Sequence, residues 1–591
     1  MLQPEDRSIL IDDLRPPTGY QLAGAVATTF TLDLTTAVIP TLAFSSIALA
    51  TTTPDPVSAL EAVRLAAEKV DVFCQAGSIT IPARASALLA FVEPMVHGVR
   101  RPKGGLFHPK VWFVKYVDDV GSPSYRLLVL TRNLTNDRSW DIAVRFDSQG
   151  VATKPLQVND PLSRFLYDLP GRTVSAMPRA RRERVKALAA EAKSVVWGLP
   201  EGADGLCFHY LPDPGFDTTG TRHLIVSPFL NEPGLDQLVG ETPQTIVVSR
   251  PEALEQLSVD RLGNLQTYVL PAVPDLEAQE DSDESVEKSQ PFGLHAKLYV
   301  VEPHGRAHRA RLIIGSANAT DAALTTNAEF MVEFQGPRRA FGVDVFMGQG
   351  GSLTNLVEAY SPEGGQPPEP DEDERRELDN CLRSIAEIRH TVEVKPSRGE
   401  AFELTVTADK PYPLRSGWSA SVELLTRPGI APSPKVGQRL QVAFPRVGKA
   451  DITPFVCIRV TTDEGLIAGT VVLAQLINDP SDRLDVVLAS QIDTREKFLR
   501  FVHLLLSLGS PQLMAEAVQG DGSSNAWTFG PGSAGILELA LRALVHRPQA
   551  IDDLDRLVQR MEATATGTAL LPEGFAEVWA QVRVARKKVA R

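Results

Sequence analysis

Residues 104–115 read GGLFHPKVWFVK and residues 293–302 read GLHAKLYVVE, two strings 187 positions apart that each set a histidine, a spacer and a lysine ahead of an apolar run. The likeness continues downstream. His108 and Lys110 are followed by Asn133 in LTRNLT, 25 residues after the histidine, and by Asp141 in WDIAVRF. His295 and Lys297 are followed by Asn318 in IGSANAT, 23 residues on, and by Glu329 in AEFMVEF. Histidine and acid are 33 residues apart in one copy and 34 in the other. One HxK string alone is a weak signal, and an Asn at a strand end is usually a turn residue. Four residue types repeated in order at nearly equal spacing are hard to obtain from structural needs. Each copy supplies an imidazole for proton transfer or attack, a cation, an amide and an acid.

Strands are the elements that must position these groups. Residues i and i+2 of a strand share a face, so His and Lys of each HxK project together. The next strand ends in the Asn-bearing turn. The strand after it begins with the acid, placed to accept from the Nδ1–H of the histidine in its own copy and leave Nε2 facing outward.

The surrounding pattern is α/β. Strand-like TTFTLDL and VDVFCQAG flank helix-like SALEAVRLAAEKV, and YRLLVL and DIAVRF follow the first motif. HLIVSPFL, TIVVSR, LHAKLYVV, RLIIGSANAT and AEFMVEF repeat the scheme. We therefore expect a duplicated domain, with a first half over 1–172, a basic helical connector over 173–215 and a second half over 216–345. An acidic, Pro/Gly-rich linker and short helix cover 346–390. A β-rich accessory domain follows over 391–493, with strands in FELTVTAD, SASVELL, RLQVAF, FVCIRVT and LDVVLAS, and a helical region over 494–591.

With 591 residues the chain needs several cores. Its four cysteines are scattered without a CxxC pair, so neither a disulfide framework nor a zinc site is expected. The start MLQPEDRSILIDDL lacks the basic and apolar segments of a secretory signal, and no run of about eighteen apolar residues is present, which points to the cytoplasm and away from a membrane. The net charge of −13 argues against a nucleic-acid partner by its sum alone. Basic residues nevertheless cluster, and Arg100, Arg101, Lys103, Arg132, Arg181, Arg182, Arg306 and Arg309 are the candidates for phosphate contact. Acid collects in EAQEDSDESVE (277–287), a solvated loop or a shield before His295, and in EPDEDERRELD (369–379).

With HPK followed by TRN, and HAK followed by GSAN, the sequence resembles the phospholipase D superfamily across roughly residues 20–340. That signature adds an acid five residues after the lysine, where this chain has Lys115 and Glu302. The tyrosyl-DNA phosphodiesterase branch also lacks that acid. The resemblance implies two α/β/α halves forming an internal pseudo-dimer, with both HxK strings at the seam. It implies phosphodiester hydrolysis through a phosphohistidine: one neutral imidazole attacks phosphorus while the other, protonated, serves the leaving oxygen. By analogy with that branch His108 is favoured as the nucleophile. Lys110, Lys297, Asn133 and Asn318 would hold the phosphoryl oxygens, with Ser316, Asp141 and Glu329 completing the site. No metal or other cofactor is expected.

Nucleic acid, DNA ahead of RNA, is the expected substrate. The alternatives are a phospholipase or phosphatidyl-transferring enzyme, and a phosphate-gripping scaffold without catalysis. Nucleases of this type with long C-terminal additions resemble components of bacterial restriction and anti-phage systems. The chain has no GxxxxGK[ST] loop, so a helicase or ATPase would have to be a partner.

Overall fold

The computed structural model describes residues 10–44, 63–83, 89–135, 139–212, 215–240, 242, 244–271, 293–305, 308–367, 370–429, 432–434 and 437–491, together with parts of 494–589. The acidic loop at 277–287 lies outside the described residues.

Six strands of the first half are β1 (Tyr20–Thr29), β2 (Val70–Gln75), β3 (Val96–Val99), β4 (Val111–Asp118), β5 (Pro123–Leu130) and β6 (Ala143–Val151). Six of the second are β7 (Arg222–Val226), β8 (Thr245–Ser249), β9 (Leu265–Val269), β10 (Leu298–Glu302), β11 (Arg309–Gly315) and β12 (Glu329–Pro337). The first sheet runs β6-β5-β4-β1-β2-β3 and the second β12-β11-β10-β7-β8-β9, so strand order repeats. The sense of pairing repeats too. In each sheet the first three strands in sequence are parallel and the last three antiparallel. The connector adds Val195–Trp197 to the edge of the first sheet and Gly205–Leu211 to the edge of the second.

Both faces of the central strands of the first sheet are covered, which explains why those strands are rich in apolar residues on both faces. Trp112, Val114 and Tyr116 of β4 face one core. Val111 and Phe113 face another, which they share with β10 to β12 of the second half. Phe146 stands 5.6 Å from Phe334 in that shared core, and Phe165 stands 5.1 Å from Phe330. The halves also exchange backbone at their edges. Phe107 bridges Ala328, and Gly293–Leu294 pairs with Ser139–Trp140. Gly105 permits the first approach, because a Cβ there would lie 2.3 Å from the Thr326 carbonyl oxygen.

Helices α1 (Asp160–Arg172) and α2 (Arg179–Ala192) close the side of this core. Good helix formers fill α2, and Val185, Leu188, Ala189 and Ala192 make its buried stripe. Arg181 lies on the same stripe and is buried. Its guanidinium donates to the Val70 and Ala67 carbonyls and to Asp71 at 3.0 Å, while Arg184 and His97 complete the surroundings of that carboxylate.

The C-terminal part is built onto the first half. Helix α3 (Pro370–Ala386) is followed by a four-stranded sheet over His390–Pro396, Phe402–Pro411, Arg439–Val447 and Gln475–Ile477. A three-stranded sheet uses Ser419–Leu424, Phe455–Thr461 and Ile467–Leu473. LDVVLAS, read as a strand, is helical within Arg483–Gln491. The β-branched pair suggested a strand, but Leu484, Val487 and Leu488 have helical spacing and turn together into the core. That core runs from β1, β2 and β4 to Trp579 in the helix Phe575–Val589. Among the described residues no helix is long and apolar enough to cross a membrane.

Replacing Arg181 would strand part of the charge on Asp71, which is fully buried. Arg181→Met is expected to lower stability by about 3 kcal/mol, read from the urea midpoint at pH 7.

Candidate active site

The HPK string sits at the entrance to β4, where three neighbours hold it. Phe107 N donates to Gln75 Oε1 at 2.7 Å, His108 N to the Ala328 carbonyl at 2.9 Å, and Val111 N to Thr28 Oγ1 at 3.0 Å. HAK sits equivalently at the entrance to β10. His295 N and Ala296 N both donate to the Trp140 carbonyl, at 2.9 and 3.0 Å, and Arg250 donates to the Leu294 carbonyl. The carbonyls that accept from His108 N and His295 N both come from the other half.

This exchange decides which acid meets which histidine. Glu329 follows Ala328, and its Oε2 accepts from His108 Nδ1 at 2.9 Å. The pairing expected within each copy is thus replaced by a pairing across copies. Ser316 Oγ donates to the same oxygen at 2.5 Å, and Asn327 Nδ2 donates to Oε1 at 3.1 Å. Asp141 does not bond to His108; its carboxylate lies 3.7 Å from Arg132 Nε. His295 Nδ1 faces Lys297 Nζ at 3.3 Å.

Lys110 and Lys297 are 0% and 1% exposed, unusual for ammonium groups with no carboxylate hydrogen-bonded to them among the described residues. Lys110 Nζ donates to the His108 carbonyl at 2.9 Å and Lys297 Nζ to the His295 carbonyl at 2.7 Å, so each lysine folds back on its own motif. Asn133 Oδ1 accepts from Thr31 N at 3.5 Å. Asn318 Oδ1 is buried and has no hydrogen-bond partner. Phe30 meets the His108 ring edge to face at 5.1 Å.

The electrostatics follow from burial of several cations around one anion. Burial pushes Lys110 down to about 7 and Lys297 well below the ordinary range of lysine. Burial also lowers His108 to about 4, against the pull of Glu329. His295 falls to about 2, through burial and then the nearby cations Lys297 and Lys110. For Glu329 burial acts upward, but His108, Lys110 and the Ser316 hydroxyl outweigh it and hold the carboxyl below its usual range. An ionised Glu329 fixes the His108 proton on Nδ1, so Nε2 carries the lone pair.

Most of the candidate phosphate contacts have other partners. Arg100 donates to the Thr173 and Val174 carbonyls, and Arg101 binds Asn380 and Ser384 of α3 and Glu387 beyond it. Arg309 pairs with Asp204. Arg181 is the buried partner of Asp71, on the apolar stripe of α2. Lys103 and Arg182 are exposed, Arg132 is half-buried, and Arg306 lies outside the described residues. Gln75, Thr28, Phe30, Asn327 and Arg250 were not among the sequence candidates. None belongs to the repeated string, and only Asn327, beside Glu329, carried a positional hint.

No family model matches the chain, and no curated protein matches it. Solved structures of the yeast tyrosyl-DNA phosphodiesterase are similar at 12% identity and a TM-score of 0.31, covering 56% of this chain and 86% of that one. A His-to-Ala mutant of that enzyme gives 13% and 0.34 over the same shares, and a His-to-Asn mutant gives 12% and 0.32 over 55% and 85%. At these values the functional reading rests on the site's own geometry.

The low value of His108 has a stability consequence. An unfolded histidine takes up a proton through about 6.5, whereas folded His108 resists until about 4. Its contribution is complete above 6.5 and is lost as the pH falls toward 4, at up to about 1.4 kcal/mol per pH unit. Urea midpoints measured from pH 7 to 4.5 should therefore fall less steeply for His108→Gln than for the wild type.

Proposed function

We propose that the chain is a metal-independent phosphodiesterase of the phospholipase D type acting on nucleic acid, its two halves working as an internal pseudo-dimer. The observation that carries this reading is the cluster of buried His108, Lys110 and Lys297 around Glu329, with partly buried His295 beside Lys297.

His108 is the nucleophile, because its Nδ1 is committed to Glu329 and its Nε2 keeps the lone pair. Attack forms an N–P bond and expels the leaving oxygen, which takes a proton from imidazolium His295. Neutral His295 then removes a proton from water, whose oxygen displaces His108 from phosphorus. Lys110 and Lys297 turn from their own carbonyls to the phosphoryl oxygens, and the Asn318 amide, unengaged at its oxygen, swings with them. Two lysines supply the positive charge that divalent ions provide in other phosphoryl-transfer sites. Exposed Lys103, five residues before His108, supports a nucleic-acid backbone as the substrate.

The test uses single- and double-stranded DNA, RNA and phospholipid vesicles, with EDTA present throughout. DNA cleavage is expected, and His108→Ala or His295→Ala should lower the rate by about 10²–10⁴. Label from a phosphate-labelled substrate should stay on the wild type after an alkaline quench and be absent from His108→Ala. Cleavage of lipid alone, or full activity in the double variant, would overturn the reading.

A further inference from the structure

The two half-sites share the backbone bond at each histidine and at the strand end that follows, and differ in the side chains around the acid. His108 N donates to the Ala328 carbonyl and His295 N to the Trp140 carbonyl, both at 2.9 Å. The next residue is Glu329 in one case and Asp141 in the other. Ser316 N donates to the Phe330 carbonyl at 3.1 Å, and Thr131 N to the Ile142 carbonyl at 3.0 Å, so GSAN and TRN are also superposable. Asp141 therefore occupies, toward His295, the place that Glu329 occupies toward His108.

Only Glu329 makes the bond. Ser316 Oγ and Thr131 Oγ1 accept alike, from Phe330 N at 3.0 Å and Ile142 N at 2.8 Å, but Ser316 Oγ donates to Glu329 whereas Thr131 Oγ1 donates to the Ile142 carbonyl at 3.3 Å. Where the second copy has Ala317, the first has Arg132, which lies 3.7 Å from Asp141 and donates to the Thr135 carbonyl at 2.9 Å. Lys297 Nζ stands at the His295 Nδ1 that an acid would otherwise take. The first histidine is thus set for reaction and the second is not.

We propose that the Arg132–Asp141 pair is a phosphate-operated latch on His295. This deepens the phosphodiesterase reading and rests on it. A phosphodiester anion in the site attracts the Arg132 guanidinium, whose planar fork suits phosphate oxygens, and the Lys297 ammonium. Asp141 then turns to the vacated Nδ1, and His295 gains a proton held between carboxylate and substrate. The charged groups facing His295 are Lys297 in its own HAK string before β10, Lys110 and His108 in the HPK string before β4, and Arg250 just after β8. All are cationic when protonated, so without the anion and Asp141 they oppose an imidazolium. Arg132 is a phosphate-recognition residue here and Asp141 a positioning residue. The acid form of the site is assembled only on substrate.

The experiment titrates His295 by NMR in the full chain, with and without inorganic phosphate as the probe. Phosphate should raise the His295 pKa at least tenfold in proton affinity in the wild type and by less than half that, in pKa units, in Asp141→Asn. Arg132→Gln should raise it before phosphate is added. In turnover, Asp141→Asn should move the basic limb of the kcat profile to lower pH with KM little changed, and Asp141→Glu should restore it. A merely structural Asp141 would lower activity alike at every pH. Equal phosphate responses in wild type and Asp141→Asn, or an unchanged apo value in Arg132→Gln, would overturn the latch. A wild type that turns over no phosphodiester would defeat the catalytic reading and leave the titration to judge the latch.

Discussion

One buried carboxylate holds the centre of this molecule together. Glu329 is fully buried and faces His108 directly, with Lys110 and Lys297 close enough to feel its charge. Two ammonium groups taken out of water cost several kcal/mol each unless anions and hydrogen bonds offset the loss. The surroundings answer that demand: backbone carbonyls take the lysine protons, and Ser316 and Asn327 satisfy the carboxylate. A chain selected for stability alone would place apolar residues at these positions. Two imidazoles and two lysines thus share the neighbourhood of one carboxylate, and burial holds the proton affinity of all four below the ordinary range.

The exchange of strand ends between the halves makes this arrangement possible. A carboxylate on β12 reaches a histidine before β4 because Ala328 and Phe107 bridge across the seam. The aromatic core behind it, with Phe146, Phe165, Phe330 and Phe334, fixes the two sheets against each other. Burial of each such ring is worth about 1.5–3 kcal/mol, so the seam is also where the structure gains rigidity. The geometry of the histidines is consequently set by contacts across the two halves, at segments just before β4 and β10.

The C-terminal region has a structural share in the same site. Arg383 of α3 lies over the Phe30 ring at 5.8 Å, and Phe30 contacts His108. Glu93 of the first half is tied to Arg483 at 2.7 Å and to Thr453 at 3.2 Å. Thr470 donates to the Ile79 carbonyl. These buried polar contacts, with the continuous core, couple the C-terminal region to the sheet that carries HPK.

The sequence by itself determined the repeat, because the order of His, Lys, Asn and acid announces two equivalent units. Strand alternation predicts His and Lys of each HxK on one face, but both strings lie just before their strands, with each lysine folded back on its histidine's carbonyl. Strand order in both sheets follows the same repeat. The sequence did not reveal which acid serves which histidine, since a spacing of 33 or 34 residues measures separation along the chain and carries no sign of an exchange across a seam. Nor did it separate Arg181 from Arg182, neighbours of identical chemistry that a helix turns to opposite environments. LDVVLAS illustrates the same limit, because its β-branched composition was overruled by the core against which it packs. Only the tertiary structure decided that Glu329 meets His108 while Asp141 stays with Arg132, because such pairings depend on contacts between residues far apart in the chain.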